Sequence, residues 1–278
     1  MRYTHSIAAL TAAFMFVGAH VGLASAKCLT IDEIKAKGGW DITAEIPDFE
    51  PYWFVDSSGT FVGMDVDLLK AVNAKLGIPA TRYTTIPWEG VLPSVLTGKS
   101  DFIPEAIVAT EERKKAFAFG HPYGDSGVVI LTRKDSGIKS SADLANRVIA
   151  AQTGGAPEAS LLQVKARYQA AGGKDFTTKS YQGTADELLD LQNKRVEAVV
   201  ASRPVAATFV TKHPEEFMIA GLLDQPSYAS WAYRPADMGG PGCIGTEIDK
   251  VLVQLREDGT LGKLQAKWFG APVDLPAY

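Results

Sequence analysis

The sequence predicts an α/β fold, because short apolar runs typical of strands alternate with helical patterns along most of the chain. An amphipathic helix is predicted at 65–76, stopped by Gly77, and a strand at 78–85 follows it. The second half repeats the alternation, since an apolar run at 148–151 leads into a helix opened by Pro157. No internal repeat, low-complexity tract or Gly/Pro/Ser-rich linker divides the sequence.

The remaining elements are predicted from the same apolar patterns of helices and strands. Helices are predicted at 91–96, 157–171, 184–191 and 244–255, and strands at 102–107, 128–132 and 196–201. Thr184 and Glu187 have the spacing of a capping box at the start of the third helix. The fourth helix has one apolar face, as expected of a helix that covers a core, made of Ile244, Ile248, Val251, Leu252 and Leu255.

The amino terminus has the pattern of a cleavable secretory signal at residues 1–26. Arg2 is its only charged side chain, residues 7–23 are mostly apolar, and Ala24-Ser25-Ala26 is a small-x-small cleavage motif. A retained membrane anchor is the alternative, but the apolar run is short for a membrane span and is interrupted by a histidine and glycines. We therefore expect an exported, periplasmic protein that begins at Lys27.

Charge and cysteine content narrow the classes of partner. Residues 27–278 carry 27 Lys and Arg against 32 Asp and Glu, a formal net charge of −5, without a basic run. Nucleic acid and anionic membranes are therefore poor partners. The cysteines are Cys28 and Cys243, and an even count in an oxidising compartment favours one disulfide, with two buried free thiols as the alternative.

Motifs of common enzyme classes are missing from the sequence. His121 and His213 have no metal-ligand spacing with each other or with a cysteine, so we expect no metal site and no cofactor. The sequence also lacks a nucleophile elbow, a P-loop and a dinucleotide fingerprint.

One arginine has the position of a ligand contact. Thr110 is spaced as an N-cap, so Arg113 falls in the first turn of a predicted helix, directly after a predicted strand. A guanidinium in that position can hold a carboxylate with two parallel hydrogen bonds. An exposed charge paired with Glu111 or Glu112 is the alternative from the local sequence.

Five blocks of sequence resemble, in order, the motifs of a known family. They are Gly59, Val62, Gly63 and 65–69; Trp88, Gly90, Pro93, Leu96 and Gly98; Asp101, Thr110, Arg113, Phe119, Pro122, Tyr123 and Gly127; 141–144 with Gly154; and 255–270. In these blocks the chain is similar to bacterial extracellular solute-binding proteins of family 3, the polar amino acid type. The blocks cover nearly all of the predicted mature chain.

The resemblance implies a two-lobe periplasmic binding protein fold of type II. A discontinuous first lobe would comprise residues 27–130 and 228–278, and an inserted second lobe would comprise residues 131–227. Two hinge strands would join the lobes, with the ligand in the cleft between them.

The resemblance also implies ligand contacts in the cleft. Phe49 and Trp88 fall where the family places two aromatic rings that sandwich the ligand's side chain, although core packing is the alternative for both. Gly154 and Gly155 stand between a strand and a helix N-terminus, where their N–H groups could complete an anion site opposite Arg113. A plain turn would use the same glycines.

Specificity is expected where the chain departs from the family. Members that bind α-amino acids hold the ammonium with a carbonyl, here that of Ala106, with a hydroxyl that Val108 replaces, and with an aspartate that Ser202 replaces. Glu105 stands where the family usually has alanine, and it could supply the missing charge or face a structural basic partner. We therefore expect a ligand that keeps an acidic group but lacks a free primary α-ammonium.

The resemblance implies a monomeric substrate-binding component of an ABC importer that delivers a small carboxylate-bearing solute to an inner-membrane permease. Two other functions stay open. One is a periplasmic enzyme similar to cyclohexadienyl dehydratase, with Glu105 as the proton donor. The other is an accessory protein that docks a periplasmic partner without binding a solute.

Overall fold

A computed structural model describes residues 27–46, 48–172 and 175–278. The predicted signal sequence, residues 1–26, lies outside the described residues, so that assignment stays a prediction.

Helices and strands alternate along much of the chain, as the sequence predicts, although several strands follow one another without a helix between them. The first part of the chain forms α1 Ile31–Ala36, β1 Trp40–Glu45, β2 Asp48–Phe49, β3 Trp53–Val55, β4 Phe61–Val62, α2 Met64–Leu76, β5 Thr81–Ile86, α3 Trp88–Leu96, β6 Ile103–Val108, β7 Ala118–Phe119 and β8 Gly124–Asp125. The middle of the chain forms β9 Val128–Arg133, β10 Val148–Gln152, α4 Ala156–Ala170, β11 Thr177–Tyr181, α5 Thr184–Gln192, β12 Ala198–Ser202, α6 Arg203–Lys212 and β13 Phe217–Leu222. The last part forms β14 Tyr228–Tyr233, α7 Ile244–Glu257 and α8 Thr260–Phe269.

The first lobe is built from both ends of the chain. Strand β14 pairs antiparallel with β6, β7 and β8, while β1 and β5 form a parallel pair and β2, β3 and β4 a small antiparallel sheet. Its core joins Trp40 and Leu68 from the first part of the chain to Ile244 and Leu252 of α7. The first lobe is therefore discontinuous, because neither part of the chain contains this core alone.

The second lobe is a five-stranded sheet with the order β11-β10-β12-β9-β13. Alternate residues of β9 enter different cores, with Val128 and Ile130 in one and Val129 and Leu131 in the other. This alternation places an apolar layer on each face of the sheet, as expected of a strand covered on both sides. The arrangement is the two-lobe fold expected above. The boundaries at 130/131 and 227/228 stay predictions, and β9 itself begins at Val128.

Several predicted elements occur as expected. Helix α2 ends at Leu76, and Gly77 caps it in the left-handed conformation with φ 67°. Helix α7 buries all five residues of its predicted apolar face.

Two local predictions were wrong. Thr184 and Glu187 form no capping box, because Gly183 is the N-cap and Thr184 lies inside the helix, buried. The helix predicted after Thr110 is a single 3-10 turn at Arg113–Lys115, although Thr110 Oγ1 does accept the Arg113 N–H at 3.2 Å. That turn ends because the chain enters β7 three residues after it.

The disulfide predicted as one of two alternatives is present. Cys28 and Cys243 are bonded with an S–S distance of 2.06 Å across 215 residues of sequence. The bond fastens the start of the first lobe to the residue that caps α7, and an isolated bridge pairs Thr30 with Cys243 beside it. Within the described part of the chain, no helix has the length and apolar character needed to cross a bilayer.

Candidate functional site

A cavity between the two lobes holds most of the predicted site. The space between its walls, including the part that opens to solvent, is about 620 Å³. Eight of the nine predicted contacts line it, namely Phe49, Trp88, Glu105, Ala106, Val108, Arg113, Gly155 and Ser202. Gly154 does not line the cavity. Its neighbour Gly155 does, and so does Arg113, which donates to the Gly154 carbonyl oxygen.

Arg113 connects the two walls of this cavity. Its guanidinium donates to the carbonyl oxygen of Val108 at 3.0 Å and to that of Gly154, in the other lobe, at 3.2 Å. Its Cζ lies 5.5 Å from the centre of the Trp88 ring. Burial lowers the pKa of Arg113 to about 10, so the side chain still carries its charge at pH 7.

The acidic neighbours of Arg113 in the sequence have other partners. Glu111 accepts from Lys114 at 2.7 Å, and Glu112 pairs with Lys115. Both hydrogen bonds of the guanidinium end on carbonyl dipoles, and a carbonyl balances a cation less well than an anion does. In the described part of the chain, the guanidinium therefore pairs with no acidic side chain.

The predicted pair of glycine N–H donors is engaged within the chain. Gly154 N donates to Glu158 Oε2 at 2.7 Å, and Gly155 N donates to the carbonyl of Gln152 at 3.1 Å. Gly154 has a φ of 70°, which glycine adopts without strain and which presents its carbonyl oxygen to Arg113. The structure thus differs from the expected anion cradle, because it is the Gly154 carbonyl that faces the site.

Glu105 is an acid of the cavity whose pKa is shifted. Its side chain is 3% exposed, and Oε1 accepts the backbone N–H of Glu45 at 2.7 Å. Burial raises the pKa of Glu105 to about 8, against the opposing effect of that hydrogen bond. At pH 7 its carboxyl group is therefore mostly protonated.

The two predicted aromatic rings occupy different parts of the wall. Trp88 is the first residue of α3, and Phe49 ends β2, where it stacks on Tyr52 with ring centres 5.4 Å apart. Phe49 packs against the edges of cores in both lobes. Both rings are half-buried and line the cavity, so neither is a purely internal core residue.

Ser202 has an unusual environment for a buried hydroxyl. It is 5% exposed at the end of β12, and its Oγ has no hydrogen-bond partner within the described residues. Buried polar groups normally have partners, so this hydroxyl is an exception. Ala106 and Val108 line the facing wall from β6.

Five charged or polar residues of the cavity lining were missed by sequence reasoning, namely Glu45, Ser126, Gln152, Thr184 and Glu187. Glu45 ends β1, and its carboxylate accepts from the side-chain amide of Gln152 across the cleft. Glu187, assigned above to a cap, instead lines the cavity and is 2% exposed. A signal was available for Glu45, because the carboxyl ends of parallel strands commonly carry ligand contacts in α/β folds. No local pattern marked Gln152 or Glu187.

Ion pairs outside the cavity also join the lobes. Arg203 of α6 pairs with Asp125 of β8 at 2.9 Å, and Lys212 pairs with Glu50. These contacts, together with the Glu45–Gln152 bond, hold the walls of the cavity near each other. In the described ranges, no group of three His, Cys, Asp or Glu side chains has an arrangement able to hold a metal ion.

Known proteins share both the sequence and this architecture. YxeM of Bacillus subtilis, described as a probable amino-acid-binding protein, is 30% identical over 217 residues, which cover 78% of this chain and 79% of that protein. AbpA of Streptococcus pneumoniae, an amino acid ABC transporter substrate-binding protein bound to L-arginine, matches with a TM-score of 0.75 and 28% identity over 87% of this chain and 99% of that one.

A third comparison links the fold to enzymes. The ancestral amino acid-binding protein AncCDT-1, described as a precursor of cyclohexadienyl dehydratase, matches with a TM-score of 0.74 and 27% identity over 87% of this chain and all of that one. Residues 42–271 match the family described as bacterial extracellular solute-binding proteins, family 3, and the chain belongs to that family.

Proposed function

We propose that this protein is the periplasmic substrate-binding component of an ABC importer and captures a small carboxylate-bearing solute, an amino acid or a close analogue, between its lobes. The observation that carries the proposal is the half-buried, charged Arg113, which lies in an interlobe cavity and donates its hydrogen bonds to carbonyl oxygens of both lobes. A ligand carboxylate would replace those weak partners with a charge-assisted pair.

The rest of the cavity supports capture of a molecule of amino acid size. Phe49 and Trp88 offer apolar faces, and the hydroxyl of Ser202 offers a polar contact on the opposite wall. The relatives agree with this class of ligand, since one is a probable amino-acid-binding protein and another was solved with L-arginine. Export to the periplasm and delivery to an inner-membrane permease are parts of the same proposal, drawn from the family.

A thermal-shift screen of the secreted protein tests the proposal. Amino acids, organic acids, betaines and sulfonates are compared, because a ligand at about one hundred times its dissociation constant adds about 2.7 kcal/mol of stability. We expect at least one carboxylate-bearing compound to raise the melting temperature. If none does while a periplasmic partner is retained on the protein, the docking function replaces the transport function.

Catalysis is the second candidate, and Glu105 is the observation that favours it. A buried carboxyl group with a pKa of about 8 is a competent proton donor at neutral pH. We propose binding without turnover, because the relatives named above are binding proteins. Incubation with prephenate or arogenate distinguishes the two, since an aromatic product that disappears in Glu105→Gln would establish a dehydratase.

A further inference from the structure

Phe49 and Glu50 extend from the first lobe to the second. The Phe49 ring lines the cavity, stacks on Tyr52 of the first-lobe core, and also packs against the edge of a second-lobe core to which α6 contributes. The carboxylate of the next residue, Glu50, accepts a hydrogen bond from Nζ of Lys212, the last residue of α6. Two neighbouring side chains of the first lobe therefore contact the second lobe.

The ion pair of Glu50 and Lys212 lies on the outer side of this contact. Among the described residues, both lie outside the cavity lining and belong to a separate groove, together with Trp268 and Phe269 of α8. Their side chains are 32% and 55% exposed, so the pair is in contact with water. A solute in the cavity would not touch it. An effect of the pair on the solute must therefore pass through Phe49 or through the separation of the lobes.

A second ion pair lies at the opposite end of α6, where the chain enters the second lobe. Arg203, the first residue of the helix, pairs with Asp125 at 2.9 Å, and its backbone N–H donates to the carbonyl oxygen of Gly127 at 2.8 Å. Gly127 directly precedes β9, so Arg203 is fastened to the crossing between the lobes. Lys212 lies about 14 Å further along the helix axis. Rotation of the lobes about this crossing would therefore separate Lys212 from Glu50 while Arg203 stays close to Asp125.

We propose that Glu50 and Lys212 are positioning residues for solute capture, whose ion pair holds the Phe49 ring in place and stabilises the closed arrangement of the two lobes. The inference rests on the proposed function, since it assumes that a solute binds between the lobes and that the lobes open to release it. The affinity of a ligand is reduced when only a fraction of the protein is in the form that binds it. An ion pair that favours closure therefore strengthens binding without contacting the solute, and it slows release.

A double-mutant cycle on the affinity tests the inference. The probe is L-arginine, or the tightest-binding compound of the thermal-shift screen if L-arginine does not bind. We expect Glu50→Gln and Lys212→Gln each to weaken binding by about two- to fivefold at low ionic strength, the range of an exposed ion pair. The double variant should bind no more weakly than the single variants, because both substitutions remove the same interaction. Circular dichroism verifies that each variant is folded.

Three further measurements distinguish a charge interaction from a loss of packing. The difference in affinity between wild type and Lys212→Gln should disappear near 1 M salt, where the Debye length is about 3 Å. Stopped-flow kinetics should place the loss of affinity mainly in faster dissociation. Exchange of the charges, Glu50→Lys with Lys212→Glu, should restore the affinity to within about twofold of wild type.

Lys194→Gln is the matched control. Lys194 is also an exposed lysine of the second lobe, but its partner, Asp135, lies in the same lobe. The substitution therefore removes the same charge without removing a contact between the lobes. The affinity and its dependence on salt should stay as in wild type.

Unchanged affinity in both single variants, or effects that add in the double variant, would overturn the inference and leave the proposed function intact. A loss of affinity that persists at high salt would also overturn it. If neither L-arginine nor any compound of the screen binds the folded wild type, the proposed function fails and the inference fails with it.

Discussion

The two walls of the cavity differ in what they contribute. The first lobe supplies the guanidinium of Arg113, two aromatic rings and two carboxyl groups, Glu45 and Glu105. The second lobe supplies mainly small and polar groups, among them Ser202 and Thr184, with Glu187 as its charged side chain in the lining. Under the proposed function, the first lobe would supply most of the contacts to the solute and the second lobe would close over it.

Removing the cation of the first wall should have the largest effect. We expect Arg113→Ala to weaken binding of the solute by at least about a hundredfold, because it removes a charge-assisted pair from a buried site. Calorimetry measures the affinity, and circular dichroism checks that the fold is retained. Lys114→Ala is the control, since Lys114 pairs with the exposed Glu111 and should leave affinity unchanged. Affinity within about twofold of wild type would place Arg113 outside the binding site.

Glu105, on the same wall, should make the stability of the folded protein depend on pH. The pKa of Glu105 is raised from 4.5 to about 8, so the ligand-free folded state binds a proton more tightly than the unfolded state does. The contribution of Glu105 to the free energy of unfolding should therefore fall as the pH rises from 4.5 to 8, by at most about 1.4 kcal/mol per pH unit. The quantity to measure is the difference in unfolding free energy between wild type and Glu105→Gln at each pH. A difference that does not change with pH would mean that Glu105 titrates normally.

A charge added to the second wall should shift selectivity by a smaller amount. Ser202→Asp places a carboxylate where related proteins have one, beside a hydroxyl position that has no hydrogen-bond partner in the described residues. We expect the preference for a solute with a free α-ammonium over its N-methylated analogue to rise by about tenfold. Paired titrations of wild type and Ser202→Asp provide the measurement. An unchanged ratio would show that the ammonium lies away from Ser202.

The sequence predicted the two-lobe fold and the Arg113 side of the site more fully than the acidic side. Family motifs surround Arg113 and Trp88, so their positions follow from one continuous pattern. The acidic side depends on contacts between distant parts of the chain, such as that of Glu45 with Gln152, 107 residues apart. Thr184 and Glu187 have the spacing of a capping box, but tertiary packing placed both in the cavity lining.

Local energetics also explain the errors near the glycines and near Arg113. Glu158 lies one helical turn after Gly154 and takes the N–H that was expected to bind a ligand anion. The sequence around Arg113 has good helix-start residues, yet the chain must enter β7 at Ala118, which leaves room for one 3-10 turn. In the first case a hydrogen bond within the chain outweighs the local preference, and in the second the start of the next strand does.

The central claim is that Arg113 holds a carboxylate of the solute. Calorimetric titration with the tightest-binding acid of the screen and with its carboxamide tests this most directly, with arginine and argininamide as the first pair. The amide keeps the shape but loses the anion, so it should bind at least about a hundredfold more weakly to wild type and equally weakly to Arg113→Ala. An amide that binds wild type as tightly as the acid would contradict the account.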